Sequence, residues 1–296
     1  MPVDITSNRW RLMSKQAVSK TVNHPAVGFL LILWLGNCSP SLMAQPLNLQ
    51  GNLVQGGLVM GKVPAGYSVS YQGKQLKLTA EGQFLLGFGR DAPALATLII
   101  TDNQSRQQTQ KLPVEQRVYN IQRIEGVPQR TVTPSSEDVE RIRSDASLVR
   151  TARKQVTSNA DFLQGFIKPL SGTVTGVYGT QRLYNGTPGS PHYGIDYAAP
   201  LGTPVMAPAA GLVTLAHDDL FYSGGTLIVD HGHGLSSTFL HLSELLVVEG
   251  QRVQRGEVVA KVGSTGRSTG PHLDWRMNWQ NRRIDPQMVL QTLPAK

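Results

Sequence analysis

Histidine is concentrated in one part of this 296-residue chain. Six of the seven histidines fall between positions 192 and 272. Neutral imidazole nitrogen binds zinc and also exchanges protons near neutral pH. The crowding therefore indicates a metal site or an acid–base site within this segment.

Short motifs bring histidine and carboxylate together. His192 and Asp196 are four residues apart with a glycine between them, which lets the chain bend so that nitrogen and carboxylate converge. His272 and Asp274 are two apart, and on a strand both side chains would lie on one face. His241 is flanked by apolar residues on a further predicted strand. Each motif is weak evidence alone, but together they predict one site.

The elements that position these residues are predicted to be mainly β. Residues 166–296 read as short strands punctuated by glycine with no long helix between them, which excludes a parallel doubly wound sheet and predicts an antiparallel β-sandwich. Residues 45–125 predict a smaller β-sandwich-like domain without catalytic residue types. Between them, residues 126–165 form a predicted linker with an amphipathic helix, because apolar residues recur at spacings of three and four.

The first 44 residues are predicted to be a signal peptide. Basic residues precede an apolar run over 26–35, and small and polar residues follow it up to Ala44. The run is about half the length of a transmembrane helix. We therefore expect export to the periplasm or cell envelope. Membrane association is expected only if this segment is retained or if Cys38, the single cysteine, is lipidated; loss of Cys38 with the signal is favoured.

The charge of the chain says little about a polyanionic partner. The formal net charge is +8, but the basic residues are scattered rather than gathered on one face. Nucleic acid is therefore not an expected partner.

Several ordered motifs between Gly176 and Pro286 resemble the LytM/lysostaphin family of zinc metallopeptidases, which act on peptidoglycan. The motifs that carry the resemblance are His192 to Asp196, Pro204 to Val213, Gly224-Gly225, Asp230-His231-Gly232, His241-Leu-Ser243, Gly250 to Gly256, Gly263 to Gly266 and Gly270-Pro-His-Leu273. The resemblance covers about two fifths of the chain and implies a duplicated hybrid motif fold in residues 166–296.

The resemblance also implies roles for single residues. His192 and Asp196 would be ligands of one Zn²⁺ in this domain, and His241 and His272 would be the catalytic histidines. The third ligand falls on Asp274, where the family usually has histidine. A carboxylate oxygen binds zinc at about the same distance as imidazole. A second carboxylate would, however, make the metal a weaker Lewis acid, so slower chemistry is expected.

These features predict a zinc-dependent endopeptidase that hydrolyses peptide cross-links of bacterial peptidoglycan. Its expected partners are peptidoglycan stem peptides, with envelope or divisome proteins as further candidates. Since a His-Glu-x-x-His motif is absent from the sequence, His241 or His272 is the candidate general base. The sequence does not decide between them.

Three alternatives stay open. One is a catalytically inert LytM-like domain that binds the wall or activates another cell-wall hydrolase. Another is a zinc enzyme that acts on a different peptide. The third is a biotinyl or lipoyl carrier domain, which is disfavoured because Lys261 lies within a strand pattern instead of a hairpin turn.

Overall fold

The computed structural model describes residues 47–124, 136–184 and 186–295. The predicted signal peptide and the first part of the predicted linker lie outside these ranges. All described residues belong to one compact unit. None of the helices in the described ranges combines the length and apolar character needed to cross a bilayer.

The N-terminal β region begins with seven antiparallel strands in two sheets. In β6 every second residue is buried, as expected for a strand with one face on a core. The sheets have the orders β1-β2-β5 and β4-β3-β6-β7. The strands are β1 (Asn48–Gly51), β2 (Leu58–Lys62), β3 (Ser68–Tyr71), β4 (Lys74–Gln75), β5 (Gln83–Gly87), β6 (Leu95–Thr101) and β7 (Gln107–Pro113).

A helical segment follows the last strand of this region, β8 (Ile121–Ile124). Helix α1 spans Ser136–Lys154, with acidic residues in its first turn and basic residues in its last, which suits the helix dipole. The helix was predicted at this place. One 3-10 turn, Asp161–Gln164, leads into the C-terminal region.

The C-terminal region contains two sheets with antiparallel pairing, and two of its strands form a third sheet with β8. Its elements are β9 (Thr173–Gly176), β10 (Gln181–Tyr184), β11 (Thr187–Pro188), β12 (Gly194–Ala198), β13 (Pro204–Met206), β14 (Gly211–Leu220), β15 (Gly224–Asp230), β16 (Leu235–Leu242), β17 (Glu244–Leu245), β18 (Arg252–Val253), β19 (Val258–Lys261), β20 (His272–Trp279), β21 (Arg282–Ile284) and α2 (Pro286–Thr292). The larger sheet has the order β18-β14-β15-β16-β20-β12-β9, with β21 beside β20. The smaller has the order β13-β19-β17, and the third has the order β11-β10-β8. The predicted mainly β fold is confirmed.

The two faces of the larger sheet have different neighbours. On β20 the apolar residues Leu273, Trp275, Met277 and Trp279 alternate with polar ones and pack in the main core. The opposite face, which we call the groove face, carries His272, Asp274, Arg276 and Asn278. Part of the groove face is covered by α1, because Val149 and Ala152 pack on Leu215, Leu220 and Ile228. Strands β15 and β16 are consequently buried along their whole length.

One hydrophobic core joins the N-terminal and C-terminal β regions. The same cluster of buried residues runs from Leu58 to Leu293. Arg117 bonds to the buried Asp285 at 2.8 Å, and Tyr71 packs beside Trp279 with ring centroids 6.4 Å apart. Strand β8 also pairs in parallel with β10 of the C-terminal region. The boundaries predicted between domains stay predictions.

Candidate metal centre and active site

The first pair of candidate ligands lies at the start of β12. The main chain of His192 is fixed by a hydrogen bond from its amide to the Thr180 carbonyl, and Asp196 lies within the strand. His192 Nε2 and Asp196 Oδ1 are 3.3 Å apart. Both atoms are buried, and neither has a hydrogen-bond partner.

Asp274 joins this pair because of strand register. Asp196 and Asp274 are directly opposite each other on β12 and β20, so both carboxylates lie on the groove face. One ligand atom from each of His192, Asp196 and Asp274 lies within 4.8 Å of the other two. Three residues separated by up to 82 positions in the sequence thus converge.

These residues fit a divalent metal ion. Buried polar atoms without partners are costly, so the free Nε2 of His192 and Oδ1 of Asp196 require another partner. Their 3.3 Å separation is about the edge of a tetrahedron with metal–ligand distances of about 2.0 Å. Imidazole nitrogen and carboxylate oxygen both bind zinc, so one imidazole and two carboxylates are chemically able to hold it.

Two glycines make room for the carboxylates. A Cβ atom on Gly176 would lie 2.3 Å from Asp196 Oδ2, and one on Gly194 would lie 2.4 Å from Asp274 Oδ1. Both separations are far below van der Waals contact. The acids therefore occupy space that any larger residue at these two positions would fill.

Arg276 forms an ion pair with Asp274. Its Nε donates to both Asp274 oxygens at 3.0 Å, and its Nη2 donates to Oδ2 as well. Burial acts to raise the pKa of Asp274, but the charge and hydrogen bonds of Arg276 outweigh it and hold that pKa below the ordinary value. Burial, and after it the charge of Asp274, raises the pKa of Asp196. Asp274 is therefore the carboxylate that stays ionised most readily.

The two candidate catalytic histidines lie side by side. The rings of His241 and His272 have centroids 4.8 Å apart. The Nδ1 atoms of both bond to main-chain carbonyls at 2.8 Å, His241 to Thr265 and His272 to Gly270. A carbonyl only accepts, so each Nδ1 carries the proton, and each neutral ring keeps an unshared electron pair on Nε2.

His241 is held by an unusual backbone. It lies in β16 with φ of +65°, in the left-handed region that non-glycine residues seldom adopt. Its amide donates to the Ser223 carbonyl. Burial lowers the pKa of His241, which favours the neutral ring that accepts a proton.

The remaining histidines bond elsewhere. His231 is fully buried, with Nδ1 at 2.8 Å from the Ala210 carbonyl and Nε2 at 2.8 Å from Ser237 Oγ. His217 Nδ1 accepts from the Asp219 amide within the same strand, β14. Neither histidine is in the group of three candidate ligands.

The chain is similar in sequence and fold to known proteins. The model of Peptidase family M23 matches residues 190–286, the stretch that holds every candidate site residue. We call these residues the M23 domain, and the match agrees with the family resemblance found in the sequence.

Two curated relatives match a stretch about as long as the M23 domain. The peptidoglycan DD-endopeptidase ShyA of Vibrio cholerae is 38% identical over 96 residues, which are 32% of this chain and 22% of that protein. The DD-carboxypeptidase/endopeptidase Mpg of Neisseria meningitidis is 43% identical over 103 residues, 35% of this chain and 24% of that protein. The chain thus spans less than a quarter of the length of these relatives.

A solved structure resembles more of the chain. A candidate M23 peptidase from Pseudomonas aeruginosa is 29% identical, with a TM-score of 0.65, and the match covers 82% of this chain and 97% of that one. Since the M23 domain is about a third of the chain, the likeness extends into the N-terminal β region.

The structure also adds residues that the motifs did not single out. Arg276 was not predicted as part of the site, although it continues the period-two pattern of His272 and Asp274 on one strand. Gly176 was not predicted either. A glycine is required there because Gly176 lies opposite Asp196 on the neighbouring strand, and that pairing is a tertiary contact. The roles of His192, Asp196, Asp274, His241 and His272 stay proposals.

Proposed function

We propose that the M23 domain is a zinc-dependent endopeptidase that hydrolyses peptide cross-links of bacterial peptidoglycan. The observation that carries the proposal is the convergence of His192, Asp196 and Asp274 beside two histidines with free Nε2 atoms. The names of the curated relatives support the substrate, since ShyA is named a peptidoglycan DD-endopeptidase and Mpg a DD-carboxypeptidase/endopeptidase.

In this proposal His192, Asp196 and Asp274 would hold one zinc ion. A zinc ion bound there would polarise the scissile carbonyl and lower the pKa of a bound water. Arg276 would keep Asp274 in one orientation and offset its charge. The net charge of the ligand set together with Arg276 then equals that of a set with neutral histidine in place of Asp274, so the weakening expected from a second carboxylate is reduced.

The two histidines have different roles in this proposal. His241, whose pKa is lowered by burial, accepts the proton of the attacking water on Nε2 and passes it to the leaving amine nitrogen as the C–N bond breaks. His272 is anchored by Gly270 and lies 4.8 Å from the first ring. Because its Nδ1 proton is donated to Gly270, His272 donates to the oxyanion only when Nε2 also carries a proton. Fixed Nδ1 bonds keep both rings oriented before the substrate arrives, which reduces the cost of reorganisation.

A second candidate is an inert domain that binds the wall or activates another hydrolase. The observation in its favour is that both Asp274 oxygens already accept hydrogen bonds from Arg276. Carboxylate oxygens have further lone pairs, so this bond does not prevent metal binding. Zinc analysis of purified protein separates the candidates, because only the hydrolase requires about one zinc per chain.

The decisive experiment is digestion of purified peptidoglycan by the protein, with and without a chelator. We expect new amine termini, detected by mass spectrometry of the released peptides, that disappear with chelator and in His192→Ala. His217→Ala is the matched control, since His217 bonds within its own strand, β14. Cleavage that persists in His192→Ala would contradict the proposal.

Location in the cell envelope is part of the same proposal. It is supported by the basic and apolar pattern of residues 9–44 and by the peptidoglycan-directed names of the relatives. Amino-terminal sequencing of the protein recovered from an envelope fraction would test it, with a new terminus near Gln45 as the expected result.

A further inference from the structure

Three arginines approach one another on the groove face beside the metal centre. Arg276 is paired with Asp274. Among the described residues, neither Arg153 of α1 nor Arg283 of β21 has a carboxylate within 4 Å. Two guanidinium groups are thus left without a counter-ion in this part of the structure.

Neutral side chains link these two arginines. Arg153 Nη2 donates to Thr238 Oγ1 at 3.2 Å, and Asn278 Nδ2 donates to the same oxygen at 3.2 Å. Arg283 Nη1 donates to Asn278 Oδ1 at 2.7 Å. Strand register places all of them together, because Thr238 lies opposite Arg276 and Asn278 lies opposite Arg283.

The arrangement is electrostatically costly without an anion. Burial, then the charges of Arg283 and Arg276, holds the pKa of Arg153 well below its usual range. Burial, then the charge of Arg276, lowers the pKa of Arg283 to about 10. Both groups still carry their charge near neutral pH. Arg153 Nε is also buried without a hydrogen-bond partner, so one donor is left for a ligand.

A ligand can reach these groups from solvent. The side chains of Arg153, Arg276 and Arg283 are all half-buried, not sealed in the core. Successive residues on one face of a strand are about 7 Å apart. The guanidinium group of Arg153 bonds to Thr238, which lies opposite Arg276, and Arg283 lies opposite Asn278. Both groups therefore lie roughly 7–14 Å from Asp274. That distance spans about two to four residues of an extended peptide.

We propose that Arg153 and Arg283 form a subsite for a carboxylate of the substrate, a few residues from the bond that is cut. The inference rests on the proposed function and narrows its substrate class to peptides that carry a free carboxylate at this distance. Guanidinium groups bind carboxylates through paired, charge-assisted hydrogen bonds. Stem peptides of peptidoglycan carry free carboxylates, so the class is chemically consistent.

Helix α1 gains a function in this arrangement. Since Arg153 lies in its last turn and bonds to Thr238 of β16, the helix forms one wall of the substrate groove. A helix that merely covered the groove would instead compete with the substrate, and removal of the Arg153 anchor would then strengthen binding.

The test measures binding without hydrolysis. Protein freed of metal with 1,10-phenanthroline, a neutral chelator that does not compete for an anion site, is titrated calorimetrically with a cross-linked muropeptide dimer. The same dimer with its carboxylates converted to amides is the second probe. We expect the free acid to bind about 10-fold or more tightly than the amide, which is the effect of one or two charged hydrogen bonds.

Variants locate this preference. In Arg153→Gln and Arg283→Gln we expect the ratio between acid and amide to fall below about 3. Arg150→Gln removes the same charge from an exposed position of α1 and should leave the ratio unchanged. Arg153 makes a single hydrogen bond, to Thr238, so Arg153→Gln carries the test alone if Arg283→Gln fails to fold.

Two outcomes overturn the inference. One is an acid preference that is equal in Arg153→Gln and in the unmodified protein, and the other is tighter binding of the acid in Arg153→Gln. Failure of the proposed function looks different. If the zinc-loaded protein does not cleave peptidoglycan but the metal-free protein still prefers the acid, the proposed enzymatic function is contradicted and the carboxylate subsite is supported.

Discussion

Asp274 and Arg276 lie two residues apart on one strand and form a buried ion pair beside two other candidate metal ligands. The side chain of Asp274 is 4% exposed and that of Arg276 24% exposed. A buried carboxylate needs compensation of its charge, and Arg276 supplies it in the absence of metal. We interpret the pair as a unit that stands where the resemblance to the LytM/lysostaphin family implies a histidine.

Removal of either partner should cost more than removal of both. Asp274→His leaves the Arg276 charge without a partner, and Arg276→Met leaves that of Asp274. Breaking such a pair costs about 3–5 kcal/mol, whereas replacement of both members is often close to neutral. We expect each single variant of the metal-free protein to lose roughly 3 kcal/mol of unfolding free energy and the double variant roughly 1 kcal/mol.

Urea denaturation of the four proteins, freed of metal, measures this coupling. Arg150→Met is the control, because it removes an exposed arginine of α1. Losses in the single variants that add up, within about 0.5 kcal/mol, to the loss in the double variant would show that the two residues do not act as a unit.

His241 is expected to act as the proton acceptor. His241→Ala should reduce the rate of peptide cleavage by about 10²- to 10⁴-fold while zinc content stays near that of the unmodified protein. Because burial lowers the pKa of His241, the neutral ring persists to below the ordinary value of 6.5. Activity should therefore be lost on the acidic side at a pH below 6.5, as the ring becomes protonated.

Rate–pH profiles and zinc analysis check this assignment. His217→Ala serves as the control histidine, with an unchanged profile expected. A His241→Ala protein that has lost its zinc would assign the residue to metal binding instead, and one with an unchanged rate would remove it from the site.

Gly176 should control the position of Asp196. In Gly176→Ala the three atoms nearest to the added Cβ would all belong to the Asp196 side chain, the nearest at 2.3 Å. The carboxylate has to rotate away, so we expect zinc affinity to fall by about 10- to 100-fold, the usual effect of disturbing the residues around a ligand. Competition with a chromogenic chelator measures the affinity.

The control for this variant is Gly89→Ala, whose Cβ would have its nearest neighbour at 4.0 Å. Unfolding of the metal-free Gly176→Ala protein by urea should be close to normal, since a side chain rather than the main chain moves. Unchanged zinc affinity in Gly176→Ala would show that Asp196 is not held by this contact.

The mainly β fold and the candidate site residues could be predicted from sequence motifs and hydrophobic periodicity. Residues four apart around a glycine, or two apart on a strand, have geometry that local rules fix, so His192, Asp196, His272 and Asp274 were recognisable in the sequence. The helix at α1 was likewise predictable from the spacing of its apolar residues.

Contacts between distant segments were not predictable in the same way. The bond from Arg153 to Thr238 joins residues 85 positions apart, and its existence depends on how α1 packs on the sheet. The shared core of the two β regions also arises from tertiary packing, since each region by itself shows an ordinary strand pattern. Local sequence patterns do not indicate which surfaces of the folded chain pack together.

His231 should make the protein sensitive to acid. Burial lowers the pKa of His231 to about 4, from 6.5 in an unfolded chain. Between these values the unfolded state binds more protons than the folded state, so the free energy of unfolding falls as the pH drops. The contribution of His231 is fully present above about pH 6.5, and about 3 kcal/mol is lost by pH 4.

The comparison of the unmodified protein with His231→Asn isolates this effect. Asparagine retains a donor for the Ala210 carbonyl but lacks the second ring nitrogen that contacts Ser237, so the variant should be less stable at pH 7. Because asparagine has no charge to gain, the variant should lose less stability on acidification. Urea denaturation between pH 7 and pH 4 measures both proteins, and other titrating groups cancel in the difference. Parallel curves for the two proteins would show that His231 is not the group that titrates, because its removal would then leave the slope with pH unchanged.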